Sequence, residues 1–126
     1  MKPRHLLRGE YSEKFARKWL RRHGLRHVTS NWHCSAGELD LVMQDGDCLV
    51  IVEVRYRADC TRGGALESIT TEKIRRICLA ARHYLHTHQQ YADSPLRFDV
   101  FAISGPSDNL RADWRRAAFS DDGDTF

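Results

Sequence analysis

No apolar run in the 126 residues approaches the ~20 that a membrane-spanning helix needs, and Met1 to Arg8 has no secretory hydrophobic core. A membrane protein and a secreted precursor are therefore not expected. Four cysteines, Cys34, Cys48, Cys60 and Cys78, stand far apart with no CxxC pair, so neither a zinc ribbon nor a redox dithiol is signalled. They read as reduced, small apolar residues of a cytoplasmic protein. The phosphate-binding G-x-x-x-x-G-K and the dinucleotide fingerprint are missing, which leaves no expected small-molecule cofactor. Ser107-Asp108-Asn109 matches a β-lactamase triplet by letters, but its S-x-x-K partner is absent. Charge of one sign is also scarce. Twenty Lys+Arg against 17 Asp+Glu leave a net +3, which permits a polyanionic partner without demanding one.

The length suits one domain over residues 1–119, followed by a frayed acidic tail, residues 120–126, with Asp121, Asp122 and Asp124. From Gly9 to His23, Tyr11, Phe15, Ala16, Trp19 and Leu20 recur at helical spacing with basic residues between them, and Gly24 is a stop. Strands are predicted at Leu25 to Trp32, Glu38 to Met43 and Cys48 to Tyr56. A Gly-rich loop at Arg62-Gly63-Gly64 precedes a second helix over Thr71 to His88, with Thr70 or Thr71 as N-cap. Leu96 to Ser104 is a fourth strand, and Leu110 to Phe119 fits either a short strand or a helix. This order predicts an α/β sandwich with a mixed sheet, because helices before and after the hairpin can cover both of its faces.

Asp45-Gly46 between alternating apolar residues signals a hairpin. With those two residues as the turn, Val42 faces Leu49, Asp40 faces Ile51 and Glu38 faces Glu53. Leu39, Leu41, Met43, Val50, Val52 and Val54 then share one apolar face. The other face gathers Glu38, Asp40, Glu53 and Arg55, with carboxylates roughly 5 Å to 8 Å apart at their side-chain origins. Like charges so placed cost free energy, and Glu53 lies in Leu49-Val50-Ile51-Val52-Glu53-Val54, a run that looks buried on both faces. A bound divalent cation would offset that cost and could activate water against a phosphoryl group. A wet sheet end, with one acid paired to Arg55 or Arg57, is the plainer alternative.

Gly37-Glu38-Leu39-Asp40-Leu41-Val42, the Asp-Gly turn, Val52-Glu53-Val54-Arg55-Tyr56-Arg57, Ser68-Ile69 with Lys73, Arg97-Phe98-Asp99-Val100 and Ala118-Phe119 together resemble the YraN family. That family is similar to archaeal Holliday-junction resolvases, in the restriction-endonuclease-like PD-(D/E)XK group of metal-dependent nucleases. The resemblance implies a restriction-endonuclease-like three-layer sandwich, Mg²⁺ or Mn²⁺ as cofactor, DNA as partner and a homodimer. It implies Asp40 and Glu53 as metal ligands, with Arg55 where the superfamily has Lys. Arginine stays protonated, so it cannot act as a base, but it can clamp a phosphate oxygen. Glu13 matches the glutamate of a Gly-Glu-x-x-Ala element, with Ser12 in place of the glycine; it is either a helper at the metal or a helix-surface partner of Arg17. Lys73 is either a relocated cation of the site or a solvated lysine at a helix start.

Lys14, Arg17, Lys18, Arg21 and Arg22 on the first helix, with Arg57, Arg75, Arg76 and Arg82, would suit phosphate contacts along a nucleic acid. A solvated helix face is the competing reading. His83, His86 and His88 fit a titrating cluster near a helix end better than a zinc site. The expected activity is metal-dependent cleavage of DNA phosphodiesters by Asp40, Glu53 and Arg55, assisted by Glu38, Glu13 and Lys73. The alternative is a non-catalytic nucleic-acid-binding or DNA-processing module of the same fold.

Overall fold

The computed structural model describes residues 10–57, 69–106 and 108–121. The Arg62-Gly63-Gly64 loop, Cys60, Ser68, Ser107, Asp122 and Asp124 lie outside them. In chain order the elements are α1 (Ser12–Arg22), β1 (Arg26–Cys34), β2 (Gly37–Asp45), β3 (Cys48–Arg57), α2 (Thr71–Thr87), a 3₁₀ turn (Gln89–Tyr91), β4 (Leu96–Ser104) and β5 (Arg111–Phe119). Thr70 caps α2 by accepting from the Lys73 backbone N–H at 3.1 Å. The segment that fits a strand or a helix is the strand β5.

The five strands form one sheet in sequence order. β3 and β4 are parallel, as a connection through α2 allows, and the other neighbouring pairs are antiparallel. Helices cover both faces, giving three layers. On one face α1 supplies Ala16 and Leu20 to a core with Leu41, Met43, Val50, Val52, Phe101 and Ile103. On the other, Ile74, Ile77, Ala81 and Tyr84 of α2 pack on Val42, Leu49, Ile51, Phe98 and Val100. Each Val, Leu, Ile, Met or Phe side chain so removed from water contributes about 1.5–3 kcal/mol. Burial on both faces explains the unbroken apolar run of β3. The fold is α/β with a mixed five-stranded sheet and flanking helices, compatible with a restriction-endonuclease-like sandwich.

The hairpin register differs from the sequence reading by two residues. Asp45 pairs with Cys48 and Leu41 with Val52, so the turn residues are Gly46 and Asp47. Gly46 has φ 61° while Asp47 has no positive φ, which fits a type II′ turn with glycine first rather than the Asp-Gly turn expected. A slip of two preserves the faces but changes the partners. Leu39 is a further correction, because it packs in the α2-side core instead of joining Leu41 and Met43. The alternation breaks at Asp40, close to the point where Asn31 on β1 has φ 52°.

β5 is tied to the sheet by a buried carboxylate. Asp99 is fully buried. It accepts from Arg97 Nε at 2.9 Å and Nη2 at 3.0 Å, Trp114 Nε1 at 2.9 Å and the Ala117 N–H at 2.9 Å. Arg97 Nη1 continues to Asp45 at 3.0 Å, which links the hairpin turn to β4. The β4–β5 register shifts at Asp99, and the carboxylate satisfies the backbone that this irregularity frees.

Candidate functional site

β3 carries Glu53 and Arg55 toward the α2 side of the sheet, and the first turn of α2 brings Lys73 over them. Glu53 is only 4 % exposed. Its Oε2 lies 3.7 Å from Arg55 Nε and 3.9 Å from Lys73 Nζ. Asp40 enters from β2, where the regular ladder to β3 ends at Leu41 and Val52. One residue beyond, Asp40 Oδ2 accepts from the Val54 N–H at 2.9 Å, so the side chain takes over at the point where the strands part.

Burial, then the Asp40 charge and a side-chain hydrogen bond with Asp40, push the Glu53 carboxyl up to about 8, against the pull of Lys73 and Arg55. Both cations stand beyond hydrogen-bonding distance of Glu53 Oε2, and Arg55 Nε is buried with no hydrogen-bond partner among the described residues. Glu53 is thus a buried acid beside the half-buried Asp40, with two cations close by but neither hydrogen-bonded to its Oε2. Hard oxygen donors in that condition fit a divalent cation such as Mg²⁺, which takes one or two carboxylates and keeps several waters. Asp40 and Glu53 are the residues that could hold it. No group of three or more His, Cys, Asp or Glu suited to a metal occurs among the described residues.

The other candidates are dispersed. Glu38, expected opposite Glu53, is displaced by the two-residue register difference; it pairs with His33 across β1 and β2, 3.2 Å from His33 Nδ1 and largely exposed. Glu13 is buried on α1, on the opposite sheet face, with Arg17 Nε 3.5 Å away and its Oε2 without a hydrogen bond among the described residues. It therefore has the Arg17 neighbour of the plainer sequence reading, although buried rather than on the surface. Lys14, Lys18, Arg21 and Arg22 are exposed along α1, and Arg57 is exposed at the end of β3. On α2, Arg75 and Arg76 share Glu72, at 2.7 Å and 3.3 Å, while Arg82 grips Asp121 at 2.8 Å and 3.0 Å. The basic residues on the two helices thus lie on opposite faces and differ in how far they are neutralised. His88 stacks on Tyr84 and accompanies Trp32.

The sequence reading gave no role to Arg116, whose guanidinium sits 4.0 Å from the ring centre of Trp114. The Arg115-Arg116 pair beside Trp114 was its only signal in the sequence.

The model of a family described as "Uncharacterised protein family UPF0102" matches residues 12–103. A UPF0102 protein of Pseudomonas fluorescens (strain Pf0-1) is 46 % identical over 115 residues, covering 91 % of this chain and 94 % of that protein. One from Aeromonas hydrophila is 44 % identical over 113 residues, covering 89 % and 84 %. One from Chromohalobacter salexigens is 45 % identical over 112 residues and covers 89 % of each chain.

Proposed function

From the premise that the chain belongs to the UPF0102 family, the YraN family, we propose that it is a Mg²⁺- or Mn²⁺-dependent nuclease that hydrolyses DNA phosphodiesters. The observation that carries this reading is the buried Glu53, raised to about 8 beside Asp40 and flanked by Arg55 and Lys73 at 3.7 Å and 3.9 Å. Asp40 and Glu53 would hold the cation, which when bound would supply an activated water and charge neutralisation at the phosphoryl group. The Val54 N–H fixes the Asp40 carboxylate at the strand end. Arg55, about a third exposed, presents a fixed charge to a non-bridging phosphate oxygen and takes no proton. Lys73, held by the first turn of α2, adds a second cation on the same side and relieves the Glu53–Asp40 repulsion.

Incubation with Mn²⁺ and a panel of duplex, single-stranded, flap and four-way-junction DNA tests this. Cleavage that disappears in Asp40→Asn and in Glu53→Gln supports the proposal; cleavage that survives either change assigns the activity to a contaminant. A second reading, a nucleic-acid-binding or DNA-processing module without catalysis, draws support from Arg55 in place of lysine and from two carboxylates, and no third, meeting at the site among the described residues. DNA bound but left intact across the panel would favour it.

A further inference from the structure

Both sheet faces carry basic residues, but their partners differ. Each α2 arginine considered as a phosphate contact is engaged: Arg75 and Arg76 by Glu72, and Arg82 by Asp121. On α1, Lys18, Arg21 and Arg22 have no acidic partner among the described residues, and together they line an open hollow of about 440 Å³. Beside this helix, burial first and then Arg17, with Glu13 opposing and Arg21 adding a smaller push, hold the His27 imidazole below its ordinary 6.5. The charged surface extends onto β5 through edge-to-face aromatic rings. Trp19, between Lys18 and the Arg21–Arg22 pair, meets Trp114 edge-on with centroids 6.0 Å apart. Arg116 lies over the Trp114 ring at 4.0 Å, and the Trp114 indole is itself held by Asp99 at 2.9 Å. Arg116 thus has its aromatic support fixed from below and is exposed above.

We propose that α1 and β5 together form a nucleic-acid backbone-binding surface, with Lys18, Arg21, Arg22 and Arg116 as phosphate contacts, on the sheet face opposite the Asp40–Glu53 site. It rests on the proposed function only for the choice of DNA as the polyanion. Four cations without sequence-reading geometry suit phosphates rather than base edges. Separation by the sheet makes binding and the carboxylate chemistry independently removable.

Fluorescence anisotropy with a labelled random-sequence duplex, in EDTA and across a KCl series, tests the surface. Arg21→Ala/Arg22→Ala should weaken binding by about tenfold or more and lower the salt slope by about 2, and Arg116→Ala should lower it by about 1. Arg75→Ala/Arg76→Ala should cost less than about threefold, because Glu72 already neutralises that pair. Circular dichroism of each variant confirms folding. An α2 loss equal to the α1 loss, an α1 double variant within about twofold of the parent, or binding to phosphatidylserine vesicles but not to DNA overturns the proposal. Mg²⁺ titration of the same variants reads the other site separately. A cation-induced stabilisation retained in the α1 variant supports independence, and one lost there overturns it. If the parent binds DNA in this pattern but does not respond to Mg²⁺, the nuclease reading fails and the surface stands.

Discussion

Two buried acids on adjacent strands show what separates a carboxylate that builds the fold from one that is poised for chemistry. Asp99 on β4 is the register partner of Val52, and Glu53 on β3 is the partner of Val100, so the two stand one step apart on opposite faces of the sheet. Asp99 is fully buried and receives hydrogen bonds from Arg97, Trp114 and Ala117. Glu53 is almost as buried, yet its cations stop at 3.7 Å and 3.9 Å, and burial together with the neighbouring Asp40 raises it to about 8. Burial is common to both; the partners differ, since among the described residues Asp99 is held by donors whereas Glu53 shares a hydrogen bond with a second acid, Asp40. A fully paired carboxylate stabilises its surroundings, whereas one raised by burial and a neighbouring acid has a use for an incoming cation.

The largest expected effect is at the satisfied acid. Asp99→Ala leaves the partly buried Arg97 with Asp45 as its remaining carboxylate and Trp114 and Ala117 without their acceptor, and should cost about 3–5 kcal/mol in urea unfolding. Glu53→Gln, by contrast, should keep stability within about 1 kcal/mol at pH 7, where the native carboxyl already holds a proton, while cleavage falls by about 10²-fold or more. A stability loss at Glu53 as large as that at Asp99 would erase the distinction between them.

The pH dependence follows from the same contrast. Glu53 in the folded chain titrates near 8, above an ordinary glutamate of 4.5, so the native state holds a proton there that the unfolded chain releases. Its stabilising contribution is complete below about pH 4.5 and is lost as pH rises through about 8. In EDTA, melting temperature should therefore decline from pH 5.5 to pH 9 more in the parent than in Glu53→Gln, and saturating Mg²⁺ should flatten that difference. Smaller still is the effect of Thr70→Ala, which removes the cap 3.1 Å from the Lys73 N–H. It should cost about 1 kcal/mol in thermal melts and, by fraying the turn that carries Lys73, raise the Glu53 titration further.

How much of this was legible in the sequence depended on how local the signal was. Helical spacing gave α1 and α2, and the apolar run of β3 announced a strand covered on both faces. Glu53 stood out because an acid in such a run is costly. The register was not legible. Gly46 takes the first turn position with φ 61°, and the letters Asp-Gly do not reveal which of the two begins the turn. That slip moved Glu38 out to His33 and brought Asp40 to the edge of the Val54 N–H. The Asp99 cluster and the support of Arg116 were also invisible, since both join residues from β4 and β5 that only the tertiary register brings together. Helical spacing places the basic residues on two helices, but the neutralisation of those on α2 by Glu72 and Asp121, and their division between two faces, depend on the packing.

The most direct measurement is a carbon-13 NMR titration of the Glu53 side-chain carboxyl, with and without Mg²⁺. A midpoint near 8 in EDTA that drops by more than one pH unit at saturating Mg²⁺, with no comparable change at Asp99, is the result expected of a buried acid waiting for a cation. A Glu53 midpoint near 4.5 that Mg²⁺ leaves unmoved would show that this carboxylate is as fully provided for by the protein as Asp99 is.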